Sequence, residues 1–285
     1  MLSEGFLTRL DAMHLALRSP AQGGAGGLRR SRSLGSSVEF SDFREYAPGD
    51  DLRRLDWNAY ARFDRLFLKL FMEEQETQVN ILLDASASMA ERGKWETAQG
   101  LAQIFSYLAL RSGDRVTLCS LGSDARRTPS LSGRADYVKA AAFLEGVRPE
   151  GETLLCRDIQ RLPLRPGRGV TVLITDLMSP DGYEKALQSL LYRKQEITLA
   201  HVLSPWEMAP ELEGMVRLVD SETGEAREIA VSGDLLTDYR RTLDAFLSGA
   251  EGFCHDREIA YIRLLSDLDM ENEALRALSR AGLVG

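Results

Sequence analysis

Asp84, Ser86 and Ser88 alternate along Asp84-Ala85-Ser86-Ala87-Ser88-Met89, immediately after the apolar run Val79-Asn80-Ile81-Leu82-Leu83. One carboxylate and two hydroxyls at every second position, just past a buried strand, can turn three oxygens toward one point. That is half of a site for a hard divalent cation, which takes oxygen ligands and keeps some of its water. The same residues also suit a strand exit followed by a helix cap, because Asp and Ser accept hydrogen bonds from orphan amides. Two further oxygen-bearing residues bear on the choice. Asp176 follows Gly169–Thr175 (GVTVLIT), and Thr153 stands in the loop Gly151-Glu152-Thr153-Leu154. Taken singly, Thr153 reads equally as a helix N-cap and Asp176 as an ordinary strand-end carboxylate.

The elements around these residues place them on one edge. From Val79 onward, strands and helices alternate. Strands are expected at Val79–Asp84, Arg115–Leu121, Gly169–Thr175, Ile197–Leu203 and Ile259–Leu265. Helices are expected after Asp84 with Trp95, Ala98, Leu101, Ala102, Phe105, Leu108 and Ala109 on one stripe, then at Tyr137–Leu144, Leu154–Leu162, Gly182–Lys194, Leu235–Phe246 and Glu271–Arg280. Val216–Val219 and Arg227–Val231, joined by Asp220–Glu225, read as a hairpin. Alternating β and α elements imply a mostly parallel sheet with helices on both faces. Ligands of such sheets sit outside the carboxyl ends of the strands. Asp84, Ser86, Ser88, Thr153 and Asp176 therefore reach that edge from three loops.

The rest of the chain divides by composition. Phe6, Leu10, Met13 and Leu17 recur at helical spacing and predict a short amphipathic helix over 4–18, packed on the protein or a partner. Ala21–Gly27 is a glycine-rich hinge. Residues 28–75 hold Arg29, Arg30 and Arg32, and eight of the chain's 21 aromatic residues lie between Phe40 and Phe71. Disordered tails are poor in aromatics, so an ordered segment packed on the main domain is expected. Asp50, Asp51 and Asp56 are expected to pair with Arg53, Arg54 and Arg62, and Trp57, Tyr60 and Phe63 to pack. The organisation is thus 1–27, 28–75 and a main domain over 76–285.

Bulk properties exclude several functions. The 285 residues carry a net charge of −8, which argues against a general nucleic-acid binder. Arg29, Arg30 and Arg32, with Ser31 and Ser33, read as a solvated or partner-facing tract. Cys119, Cys156 and Cys254 are odd in number and widely spaced, which suits buried thiols in a reducing cytoplasm. No run approaches the ~20 apolar residues of a membrane span, and no signal-peptide pattern is read at the start of the sequence.

The order D-x-S-x-S, a G-x-T loop and a strand-terminal Asp resembles the metal-ion-dependent adhesion site of von Willebrand factor A domains. The run SRSLGSSVEFSDFREYAPGDDLRRLDWNAYARFDRLFLKLFMEE resembles the signature of the bacterial domain-of-unknown-function fifty-eight family. Its members are von Willebrand A-like proteins often encoded beside MoxR-type AAA+ ATPases. The likeness runs from about Leu28 to Asp176 and is most specific over 34–74. It implies a Rossmann-like α/β fold with an N-terminal family-specific segment. It further implies Mg²⁺ (or Mn²⁺ or Ca²⁺) held by Ser86, Ser88 and Thr153 hydroxyls, with Asp84 and Asp176 ligating directly or through water. One position would stay open for a Glu or Asp of a partner. The expected role is a non-enzymatic, cytoplasmic interaction module, an adaptor or co-chaperone of the ATPase or its client. The alternative is a Mg²⁺-dependent phosphoester hydrolase with Asp84 as nucleophile. Such enzymes use a second acid two residues on, where this chain has Ser86, a poor general acid. His14, His201 and His255 all lie far from the motif in sequence.

Overall fold

The structure, a computed structural model, describes residues 2–13, 15, 39–47, 50, 52, 55–72, 76–164, 169–266 and 269–284. In chain order the elements are α1 (Glu4–Asp11), β1 (Glu39–Glu45), α2 (Trp57–Phe63), β2 (Phe67–Met72), β3 (Gln78–Asp84), α3 (Lys94–Arg111), β4 (Arg115–Leu121), β5 (Leu131–Ser132) and α4 (Tyr137–Gly146). There follow α5 (Leu155–Arg161), β6 (Gly169–Thr175), α6 (Glu184–Tyr192), β7 (Gln195–Leu203), α7 (Pro205–Met208), β8 (Gly214–Val219), β9 (Ala226–Val231), α8 (Gly233–His255), β10 (Ala260–Leu265) and α9 (Met270–Arg280). The chain forms two compact units, one taking in α1 and everything from Thr77, the other lying within Arg32–Glu76.

In the larger unit the strands run in the order β10-β7-β6-β3-β4-β5, all parallel except β5. The first strand is central. The chain goes out to β4 on one side, then crosses back to β6 on the other. The order therefore reverses between β3 and β6, the place where such sheets open a crevice at the carboxyl ends of their strands. Leu83 pairs with Ile174 in register, so Asp84 and Thr175 end their strands side by side.

Both faces of the sheet are covered, as period-2 alternation requires. Val79, Ile81 and Leu83 point into a core shared with α1, α3, α4 and α9. Leu82, Leu173 and Leu199 point the other way, onto α5, α6 and α8. The predicted stripe on α3 is buried throughout, but so is most of the remaining helix surface, leaving Glu96 exposed. The apolar fraction of α3 is set by a helix enclosed among neighbours rather than lying on a surface.

Two helix lengths differ from expectation. The helix predicted over 4–18 is α1, which stops at Asp11; His14 and residues 16–18 lie outside the described residues. It does pack on the protein. Phe6 and Leu10 are buried, the Tyr107 hydroxyl donates to Asp11 Oδ1 at 2.6 Å, and Arg111 donates to the carbonyls of Leu10 and Met13. The helix predicted to end at Phe246 continues to His255. Leu247, Ala250 and Cys254 are buried against the sheet, and that packing outweighs the cost of Gly249 and Gly252 inside the helix.

In the smaller unit β1 and β2 pair antiparallel, with a register shift between Phe40 and Asp42. Asp56 caps α2 by accepting from Asn58 N and Ala59 N at 2.8 and 3.2 Å. Asp50 accepts from Ala47 N at 2.8 Å. Asp51, Arg53 and Arg54, which the predicted pairing also involves, lie outside the described residues. Trp57 and Phe63 are exposed at 64% and 66%, against the expectation that they pack. They meet other rings edge-on instead, Trp57 with Tyr60 and Phe63 with Phe67, each at 6.3 Å between centroids. The glycine hinge and Arg29, Arg30 and Arg32 also lie outside the described residues.

If α1 belongs to the main core, Phe6→Ala should cost about 3–5 kcal/mol of stability, the range for emptying a buried aromatic site. Urea unfolding followed by tryptophan fluorescence checks this; a loss under about 0.5 kcal/mol would mean that α1 is only loosely attached.

Candidate metal centre

Three loops are tied together at the crevice between β3 and β6. The loop after β3 and the loop before α5 exchange backbone bonds, Ala87 N to Gly151 O at 2.8 Å and Glu150 N to Ala85 O at 2.9 Å. The loop after β6 is joined to them by Ser179 Oγ, which donates to Thr153 O at 2.9 Å. Asp84, Ser86, Thr153 and Asp176 are buried, Ser88 half-buried.

Neither Ser86 nor Thr153 serves as a helix cap. Ser86 precedes a short 3₁₀ turn over Ala87–Ala90, yet its side chain makes no capping bond. Its Oγ lies 3.0 Å from Ser88 Oγ, so the two hydroxyls face each other. Thr153 does not cap α5 either. The helix starts after Leu154, and its free amides are satisfied from the other loop: Leu155 N donates to Ser179 Oγ at 3.0 Å, and Cys156 N and Arg157 N donate to Asp181 at 3.2 and 3.1 Å. The Thr153 hydroxyl is thereby released. It lies beside the Asp84 carboxyl and weakly favours its ionised form, but the approach makes no well-formed hydrogen bond, and this buried oxygen has no partner. Gly122, after β4, keeps the space open. A Cβ there would stand 2.8 Å from Thr153 Oγ1, on a backbone whose φ of +107° already disfavours side chains.

The carboxylates are held from their other sides. Asp84 accepts Ser86 N on Oδ1 at 3.0 Å and the Thr175 hydroxyl on Oδ2 at 2.6 Å. Burial, then the nearby Asp176 charge, raises its pKa. Asp176 accepts Met178 N on Oδ1 and the Lys94 ammonium on Oδ2, at 3.0 and 2.9 Å. Lys94 also reaches Glu207 Oε1 at 2.6 Å. Burial disfavours the lysine charge, but the two carboxylates more than offset that and its pKa is raised.

His201, remote in sequence, lies beneath the site. Its Nε2 meets Asp176 O at 3.0 Å, where the carbonyl can only accept, so Nε2 carries the proton and Nδ1 accepts from the Tyr261 hydroxyl at 2.8 Å. Burial lowers its pKa to about 4, leaving a neutral positioning ring. One more carboxylate feels the charge of the centre. Glu222, in the loop between β8 and β9, is half-buried, and burial, then the Asp84 and Asp176 charges, pushes its pKa up to about 7.

Asp84, Ser86, Ser88, Thr153 and Asp176 are thus gathered by three mutually bonded loops, with a donor set of two carboxylates and three hydroxyls. Among the described residues no three His, Cys, Asp or Glu side chains form a metal-holding group by themselves, so a cation here depends on the hydroxyl oxygens as well. That set fits a hard divalent cation. The partnerless Thr153 oxygen is the observation that makes the fit specific.

Thr175, Lys94, Glu207 and Glu222 are additions that sequence reasoning did not supply. A lysine in the first turn of α3 opposes the helix dipole, which was a readable sign that carboxylates hold it. The Ser204-Pro205-Trp206-Glu207 capping box after β7 was readable too. Nothing local marks Glu222. The three cysteines are free thiols, as expected, with Cys119 and Cys254 buried. No described helix is long and apolar enough to cross a membrane.

The family described as "Protein of unknown function DUF58" matches residues 42–245. An uncharacterized protein of Mycobacterium tuberculosis is 28% identical over 248 residues, covering 83% of this chain and 77% of that protein. An uncharacterized protein of Mycobacterium avium is 30% identical over 126 residues, covering 42% of this chain and 72% of that protein. Among solved structures, an aerotolerance-related membrane protein of Bacteroides fragilis, with multiple mutations to serines, has a TM-score of 0.45 at 20% identity, covering 72% of this chain and 98% of its own. Manganese-loaded TRAP protein of Plasmodium vivax has a TM-score of 0.34 at 15% identity, covering 44% of this chain and 57% of its own. From the family match over 42–245, this chain belongs to the DUF58 family, and its larger unit has the mostly parallel α/β sheet expected of a von Willebrand A-like fold.

Proposed function

We propose that the chain is a non-enzymatic, Mg²⁺-dependent protein-interaction module that grips a Glu or Asp of a partner at the Asp84, Ser86, Ser88, Thr153 and Asp176 site. The partner in this reading is a MoxR-type AAA+ ATPase or its client, for which the chain serves as adaptor or co-chaperone. The observation that carries it is the buried Thr153 hydroxyl, released from capping duty and left without a partner beside Asp84. A divalent cation held there supplies a positive centre with a coordination position open to an outside carboxylate.

The charges around the site favour that use. Asp176 shares the Lys94 ammonium with Glu207, whereas Asp84 makes no ion pair among the described residues. The three hydroxyls are neutral. A site with so little net negative charge leaves a dication underneutralised, and an underneutralised centre attracts another carboxylate. The residues for phosphoester hydrolysis are less well supplied. Ser86 Oγ is engaged with Ser88, and His201 is neutral with both ring nitrogens occupied. The ATPase as partner rests on the signature over residues 34–74 and on the family's gene neighbourhood.

Asp84→Ala should abolish Mg²⁺ or Mn²⁺ binding in calorimetry and the cation-dependent capture of the partner, with an unchanged circular dichroism spectrum. Equal capture by this variant, or by wild type in EDTA, would sink the metal-bridge reading. Thr175→Val removes the hydroxyl that orients Asp84 and should weaken cation binding by roughly 10- to 100-fold, the usual effect of losing an outer-shell partner. Lys94→Met leaves two carboxylates without their shared ammonium and should destabilise the fold by about 3–5 kcal/mol in urea unfolding. A generic phosphomonoester should show no hydrolysis that depends on both Mg²⁺ and Asp84; such turnover would favour the hydrolase reading.

A further inference from the structure

The helices α1 and α9 lie side by side and point the same way. At their starts, the Ser3 hydroxyl and amide donate to Glu271 Oε1 at 3.0 and 3.2 Å. At their far ends, an isolated backbone bridge joins Leu15 to Val284. Between these two fastenings runs a groove of about 470 Å³. Its lining includes Arg9 and Met13 on one side and Leu275, Arg276, Ser279 and Arg280 on the other. Arg111, at the end of α3 remote from Lys94, holds the carbonyls of Leu10 and Met13 and so fixes the first wall.

Three guanidinium groups thus meet at one opening, in a chain whose net charge is −8. Arg276 and Arg280 stand one turn apart on α9 and share a face, with Arg9 on the opposite wall. Arg276 holds Glu273 at 2.7 Å, an exposed pair that contributes little and exchanges readily. Arg9 and Arg280 form no ion pair among the described residues. Asp11, close to Arg9 in sequence, is already engaged by Tyr107, Arg111 and Arg134. A cation in the last turn of a helix suits the helix dipole, and Arg9 and Arg280 both stand there. That accounts for one arginine per helix, but not for their meeting a third over one groove. Below them the floor is apolar, with Leu275 buried and Met13 half-buried. Arg9, Arg276, Ser279 and Arg280 are exposed, so the groove stays open and cannot surround a small molecule. A segment of another protein needs only one of its sides covered.

We propose that the groove between α1 and α9 docks an acidic amphipathic helix of a partner protein. Two carboxylates one turn apart on that helix match Arg276 and Arg280, and a third meets Arg9 across the groove. An apolar side chain between them lies on Leu275 and Met13. Apolar anchors at helical spacing supply the contact area, while the charges steer the approach and fix the orientation. A guanidinium takes a carboxylate through two parallel bonds, so arginine at all three positions suits a surface that reads carboxylates. This surface is separate from the cation site and works without it. A partner that engages both is held at two places and gains avidity where its own span allows.

The test uses the full chain in EDTA, which takes the cation site out of the measurement. The probe is a fluorescein-labelled synthetic helix with glutamates one turn apart beside leucines, followed by anisotropy. A control peptide carries glutamine at every glutamate. The acidic probe should bind, and added salt should weaken it. Arg9→Gln combined with Arg280→Gln should weaken binding about tenfold, the effect of losing two surface charge pairs, with an unchanged circular dichroism spectrum. Hydrogen exchange should slow over residues 4–13 and 270–280 with the acidic probe alone. Asp84→Ala should bind the probe as wild type does, so the groove and the cation site stand or fall separately. No binding, equal binding of the glutamine control, or equal binding by the double variant overturns the proposal. Ready displacement of the probe by inorganic phosphate also overturns it, since that marks a simple anion site in place of a helix dock.

Discussion

Asp84 and Asp176 stand almost wholly out of water at the carboxyl end of a parallel sheet. A buried carboxylate is tolerated only where hydrogen-bond donors or an opposite charge meet it. Much of the surrounding structure answers that requirement. The Thr175 hydroxyl and Ser86 amide serve Asp84, while the Met178 amide and Lys94 serve Asp176. Lys94 in turn draws in Glu207, whose second oxygen caps α7 through Ser204. One cationic side chain thus connects the first helix after the motif to the segment after β7.

The architecture was legible because it is written locally. GVTVLIT is continuously apolar and β-branched, as a strand covered on both faces must be, and the alternation of such strands with helical patterns implied the parallel sheet. The edge positions of Asp84 and Asp176 followed from where those strands end. What misled were tertiary effects. The helix expected to end at Phe246 runs on to His255, because packing against the sheet holds Leu247, Ala250 and Cys254. Trp57 and Phe63 suggested a core, yet they lie exposed.

The site was half legible. Its five oxygen-bearing residues come from turns whose composition is visible in sequence. The choice between capping and ligation was not, because it depends on Ser179 and Asp181 reaching across to satisfy α5 in place of Thr153. Lys94 left a faint mark as a cation at the wrong end of a helix dipole. Glu222 left none, since only the path of the hairpin brings it near residues more than a hundred positions away.

The helix α3 has a consequence for how the two ends of the larger unit communicate. Lys94 begins it at the site, and Arg111 ends it against the carbonyls of α1, so its 18 residues set a rigid spacing of about 25 Å between them. With nearly every side buried, the helix cannot slide or tilt without disturbing the sheet and the packing of three other helices at once. It therefore holds the Lys94 ammonium, and with it the charge balance at Asp176, at a fixed distance from α1.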